Sequence, residues 1–90
     1  MGAPTPEALL GFFRRVIETE FEVRADAVRP EARLGDDLGL DSVDAMVMAL
    51  RLEEETGLEL SDDELKSLDT VASLVTLVHD RLAGRSGFAS

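Results

Sequence analysis

Ninety residues with no cysteine and 44% hydrophobic content allow one domain with a modest core, and exclude a disulfide framework, a thiolate metal site and a disordered acidic tail. Nineteen Asp and Glu against nine Lys and Arg leave a formal net charge of -10, which makes nucleic acid and anionic membranes poor partners and basic protein surfaces good ones, though solubility alone also accounts for such a charge. No apolar run approaches the roughly 20 residues of a membrane span, and Met1-Gly2-Ala3-Pro4-Thr5 lacks the regions of a signal peptide, so a cytoplasmic protein is expected.

Thr5-Pro6-Glu7 is a helix start: a capping hydroxyl, proline at the first helical position, then an acid in the first turn. Leu9, Phe13, Val16 and Ile17, with Leu10 and Phe12 beside them, follow three-four spacing, which predicts a core-facing helix over 6–20. From 21 to 41 the periodicity fails, and Pro30, Gly35 and Gly39 punctuate a long connection. Connections of that length in compact domains tend to be functional. Its Val23, Val28, Leu34 and Leu38 are expected to pin it to the core.

A second helix is predicted over 42–56, ending at Gly57 as a left-handed cap. Ser61-Asp62-Asp63-Glu64 has capping-box spacing, so a short helix over 62–67 follows, with Leu65 and Leu68 turned inward. The last helix opens at Thr70, buries Val71, Leu74, Val75, Val78 and Leu82, and is expected to stop at Gly84. A domain over 1–84 and a disordered tail over 85–90 result. No segment alternates with period two, so the fold class is all-α.

Ser42 opens the second helix, in the run Leu38-Gly39-Leu40-Asp41-Ser42-Val43-Asp44. A serine before an apolar run is commonly a structural N-cap. Asp41 caps equally well, however, and would free Ser42 to face solvent. Helix starts also tolerate a phosphodiester, because unpaired N–H groups and the positive end of the dipole face it. A Ser-His-Asp hydrolase is a poor competitor: the single histidine, His79, stands beside Asp80 in the last helix as a surface residue, and no G-x-S-x-G turn exists. A calcium loop built on Asp36, Asp37, Asp41 and Asp44 fails on spacing.

At helical pitch, Ala45, Met48, Ala49, Leu52 and Thr56 share one face of the second helix. Val43, Val47 and Leu50 share another, flanked by Met46 and Glu54. Asp44, Arg51 and Glu55 separate the two stripes on one side. Two stripes mean either a helix buried on both sides or one stripe left exposed for a partner.

The Asp41-Ser42-Val43 step resembles the prosthetic-group attachment site of acyl carrier proteins, and the resemblance runs over about 6–82. It includes Asp37-Leu38-Gly39 before the serine, Glu53-Glu54-Glu55 late in the second helix, Glu59-Leu60 before an acidic third helix, and Thr70-Val71 opening the fourth. It implies a four-helix bundle of three long helices and one short, and no catalysis by the chain itself. A phosphopantetheinyl transferase would attach 4'-phosphopantetheine from coenzyme A to Ser42, and the arm would hold acyl groups as thioesters. It also implies that the second helix is the recognition helix. Val43, Asp44, Met46, Val47, Leu50, Glu53 and Glu54 would then meet acyltransferases, ketosynthases and other pathway enzymes through basic docking surfaces, the carrier acting as a monomer.

Subtype signals divide. Arg51-Leu52 and Thr56-Gly57-Leu58 resemble polyketide carriers, while Asp62-Asp63-Glu64 resembles discrete fatty-acid carriers. Val47 stands where fatty-acid carriers usually have an acid, and Leu60-Ser61 where they have Ile or Leu then Pro. The expected protein is a free-standing carrier of polyketide or fatty-acid type, with polyketide favoured. The alternatives are a peptidyl carrier, which would usually show G-G-H/D-S at the serine, and an unmodified helical adaptor in which Ser42 is only a cap.

Overall fold

The first helix begins as its cap dictates. The Thr5 hydroxyl accepts the Ala8 backbone N–H at 3.1 Å, and Pro6 occupies the first helical position. The computed structural model describes residues 4–88, and among them four α-helices follow in order: α1 Pro6–Phe21, α2 Ser42–Thr56, α3 Asp62–Lys66 and α4 Val71–Phe88. Leu9, Phe13 and Ile17 of α1 are buried as their spacing requires, against Met48 and Leu52 of α2 and Val71, Leu74, Val75, Val78 and Leu82 of α4 in one core. Each fully buried side chain of this kind contributes about 1.5–3 kcal/mol, and α1 packs against both α2 and α4. The all-α, four-helix expectation holds, with α3 the short member.

The 21–41 connection is more ordered than its lost periodicity suggested. A 3-10 turn at Ala25–Ala27 interrupts it, and Val28, Ala32, Leu34, Leu38 and Leu40 are buried in the core. Arg33 and Thr70 form an isolated antiparallel bridge. Beside it the Leu34 N–H donates to the Asp69 carbonyl at 2.8 Å, and the Val71 N–H to the Ala32 carbonyl at 2.9 Å. The Arg14 guanidinium also donates to the Val28 carbonyl at 3.0 Å. The connection is thereby tied at both its middle and its end, so the serine that follows is presented from a fixed base.

One boundary shifts clearly. Gly84 does not end α4, which continues to Phe88. A glycine stops a helix by adopting positive φ, and among the described glycines only Gly39 and Gly57 do so. The helical backbone therefore extends into the expected tail, and residues 89–90 of that tail lie outside the described residues. At its start, α4 is held by a reciprocal pair: the Thr70 hydroxyl accepts the Ser73 N–H at 3.1 Å, and the Ser73 hydroxyl accepts the Thr70 N–H at 3.0 Å.

α3 has its capping box, with Ser61 Oγ accepting the Glu64 N–H at 3.1 Å and Glu64 Oε1 accepting the Ser61 N–H at 2.9 Å. Glu64 also receives Arg81 of α4. That guanidinium, followed by the Ser61 N–H, holds the Glu64 carboxyl below the usual carboxylate range. The short helix is thus clamped at its first turn to α4, while its last turn lies near the start of α2. Among the described residues no helix is long and apolar enough to cross a membrane.

Candidate functional site

Ser42 stands at the first position of α2, and a tight turn delivers it there. Gly39 has φ 70°, a left-handed value that any side chain would strain. The Gly39 N–H donates to the Gly35 carbonyl at 2.9 Å, and the Leu40 N–H to the Leu34 carbonyl at 2.8 Å. Buried Leu38 and Leu40 anchor both sides of that glycine. The chain therefore leaves the core at Asp41 and starts a helix at once.

Asp41, not Ser42, is the cap. Asp41 Oδ1 accepts the Asp44 N–H at 2.9 Å, and Asp44 Oδ2 accepts the Asp41 N–H at 3.1 Å. This reciprocal box occupies the two acids and leaves Ser42 exposed. Among the described residues nothing hydrogen-bonds its hydroxyl, and the Ser42 and Val43 N–H groups have no protein acceptor. A hydroxyl outside the cap, beside unpaired first-turn N–H groups, is an accessible nucleophile whose phosphate ester would meet donors rather than acceptors.

Two depressions border this hydroxyl. One, of about 330 Å³, passes Leu34, Leu40, Ala45 and Met48 toward Leu65 and Leu68. The other, of about 310 Å³, lies over Ala45, Met46 and Leu65. Lys66 at the end of α3 lines both. The exposed hydroxyl thus stands beside two clefts between α2 and α3 whose walls mix apolar side chains with acids and Lys66.

The outer face of α2 runs away from Ser42. Val43 is 64% exposed, Met46 59% and Leu50 55%. Val43 and Leu50 of the predicted stripe, and Met46 on its flank, are thus exposed, and α2 is not buried on both sides. Val47 departs from it, being only partly exposed. Its short β-branched side chain has Val43, Leu50 and Arg51 one turn away on the same face, and it lines a groove of about 460 Å³ shared with Leu60 and Leu65.

The acids differ in their freedom. Glu53 is exposed and without an ion pair among the described residues. Glu54 instead meets Arg51 at 2.9 Å, and Arg51 also meets Glu20 of α1 at 3.1 Å. Glu54, then Glu20, favours the charged guanidinium and raises its pKa further. Arg51 therefore acts as a tie between α1 and α2, and it pairs one of the expected docking charges, Glu54, which stays exposed. The Arg51–Glu54 spacing was visible in the sequence; Glu20 is brought in only by the packing of α1 on α2. His79 lies 3.8 Å from Asp80, far down α4, and among the described residues no group of three or more acids, histidines or cysteines is placed to hold a metal.

Comparison with known proteins places this geometry in context. The family model for the phosphopantetheine attachment site matches residues 11–78. Acyl carrier protein 2 of Ralstonia nicotianae is 35% identical over 79 residues, which cover 88% of this chain and 98% of that protein. An acyl carrier protein from Enterococcus faecalis has a similar structure, with a TM-score of 0.70 at 32% identity over 86% of this chain and 98% of that one. One from Thermotoga maritima gives a TM-score of 0.76 at 23% identity over 86% and 89% of the two chains, a likeness of fold.

Proposed function

Given that the chain belongs to the acyl carrier protein family, whose members are carriers with a phosphopantetheine attachment domain and not enzymes, we propose that Ser42 is the residue that bears the arm. The observation that carries this reading is the division of labour at the start of α2: Asp41 caps the helix, and the Ser42 hydroxyl is exposed and unbonded. A phosphopantetheinyl transferase would join the phosphopantetheine half of coenzyme A to Ser42 Oγ. The hydroxyl proton passes to the transferase and the nucleotide half leaves. Ser42 is thus a substrate, not a catalyst. Once attached, the arm supplies a terminal thiol that carries acyl groups as thioesters.

The remaining residues present the serine and the helix behind it. The Gly39 turn and the Asp41–Asp44 box fix where Oγ emerges, and the Ser42 and Val43 N–H groups favour a negative phosphodiester there. Exposed Val43, Met46 and Leu50, with partly covered Val47, form the docking strip, and Asp44, Glu53 and Glu54 give it the charge that suits basic enzyme surfaces. Weak, fast docking fits a carrier that visits several enzymes, since tethering raises the local concentration of cargo without tight binding. The partners are the transferase, then acyltransferase, ketosynthase and related enzymes of polyketide or fatty-acid synthesis. Arg51-Leu52 and Thr56-Gly57-Leu58 favour the polyketide type.

Intact mass after incubation with coenzyme A and a broad-specificity transferase tests this. Wild type should gain one arm, and Ser42→Ala should stay folded and gain none. A Ser42→Ala protein that still gains the mass would overturn the assignment, and a wild type that never does would favour the unmodified adaptor.

A further inference from the structure

The charges around Ser42 are mostly negative. Asp36, Asp41 and Asp69 line one bordering depression, and Asp62 the other. A phosphodiester on Ser42 adds a further negative charge in the same place. Of the nearby cations, Arg33 pairs with Asp36 at 3.5 Å, and Arg51 and Lys66 lie between residues 36 and 69. Arg51 is held by Glu20 and Glu54. Lys66 is exposed, its side chain makes no ion pair or hydrogen bond among the described residues, and it lines both depressions that border the serine.

We infer that Lys66 is a positioning residue for the arm, its ammonium pairing with the phosphodiester on Ser42 and drawing the end of α3 toward the start of α2 once the protein is modified. This rests on the Ser42 reading. A cation without a partner in the unmodified chain becomes the counter-charge that the modification calls for. The pairing would bias the arm toward the α2–α3 side of Ser42, because α3 supplies the cation. Lys66 also sits in the last turn of α3, where a positive charge complements the helix dipole. That role, unlike the proposed one, is the same with or without the arm.

Lys66 is the chain's single lysine, so lysine labelled with carbon-13 gives one set of side-chain signals in NMR. Those signals should move when the arm is attached, and the movement should shrink in about 1 M salt, where screening reaches about 3 Å. In parallel, denaturant unfolding of wild type, Lys66→Gln and Lys66→Arg is measured before and after loading. Lys66→Gln should lower the folding constant of the loaded protein about two- to fivefold more than that of the unloaded one, the size of an exposed ion pair. Lys66→Arg should keep most of the difference. Loading is verified by intact mass first. A loaded protein with unmoved lysine signals, or with equal Lys66→Gln losses in both forms, overturns the pairing and leaves Ser42 standing. A wild type that gains no arm removes the Ser42 assignment and the pairing together.

Discussion

Along α2 two rows of similar side chains meet opposite fates. Met48 and Leu52 are 2% and 0% exposed, while Val43, Met46 and Leu50 are each more than half exposed. Both rows stand on one helix and both are apolar; what lies opposite differs. The inner row faces α1 and the core it shares with α4, and the outer row faces solvent. A helix can therefore carry more apolar surface than its fold needs. The inner row specifies the bundle, and the excess sits beside the one hydroxyl that the cap leaves free, where association with another protein would bury it.

The largest expected effect tests the inner row. Leu52→Ala removes a fully buried side chain from the centre of the core and should cost about 2–5 kcal/mol, read from denaturant unfolding. A cost near that of a surface substitution would mean that α2 is not packed as described. Next come the two residues at the helix start. Asp41→Ala should cost about 0.5–2 kcal/mol by deleting the cap, whereas Ser42→Ala should stay within about 0.5 kcal/mol. Reversed values would make Ser42 the cap and take away its freedom to be modified.

That contrast was partly legible in the sequence because caps are local. Thr5 at the start of α1 and Ser61 with Glu64 follow from spacing alone, and spacing also offered Asp41 beside Ser42 as a cap; that Asp44 closes the box with Asp41 and leaves Ser42 out is seen only in the structure. What else spacing missed is made by partners distant in the chain. The Arg33–Thr70 bridge joins backbone groups, which leave no mark on side-chain pattern. Glu20 reaches Arg51, and Lys66 reaches the surroundings of Ser42, only after helices pack. Gly84 misled for a related reason: glycine permits a left-handed stop but does not compel one, and α4 runs on through it. Val47 was placed on the correct face, but angle on a helical wheel does not measure how far neighbours one turn away cover a short side chain.

The outer row is tested by Leu50→Ala. Its stability should change by less than about 1 kcal/mol, since more than half of the side chain is already in water. Turnover of the loaded protein with partner enzymes should nonetheless fall, because the lost area is buried only in a complex. Destabilisation as large as that of Leu52→Ala would erase the distinction between the two rows.

Smallest in stability is the charge test, and the structure changes which acid to choose. Reversing Asp44 would also break the Asp41–Asp44 box, and reversing Glu54 would place a lysine against Arg51. Either variant would confuse docking with folding. Glu53 is exposed, free of both ties and lines the groove that contains Val43, Met46 and Leu50. Glu53→Lys should therefore leave stability within about 0.5 kcal/mol. It should slow association with a basic partner at low salt while changing dissociation little, as rim charges do. The difference should close as salt rises and the screening length falls below about 8 Å. Equal association rates for wild type and Glu53→Lys at low salt would show that the acids beside the outer row are only solvated surface, and docking would then rest on the apolar residues alone.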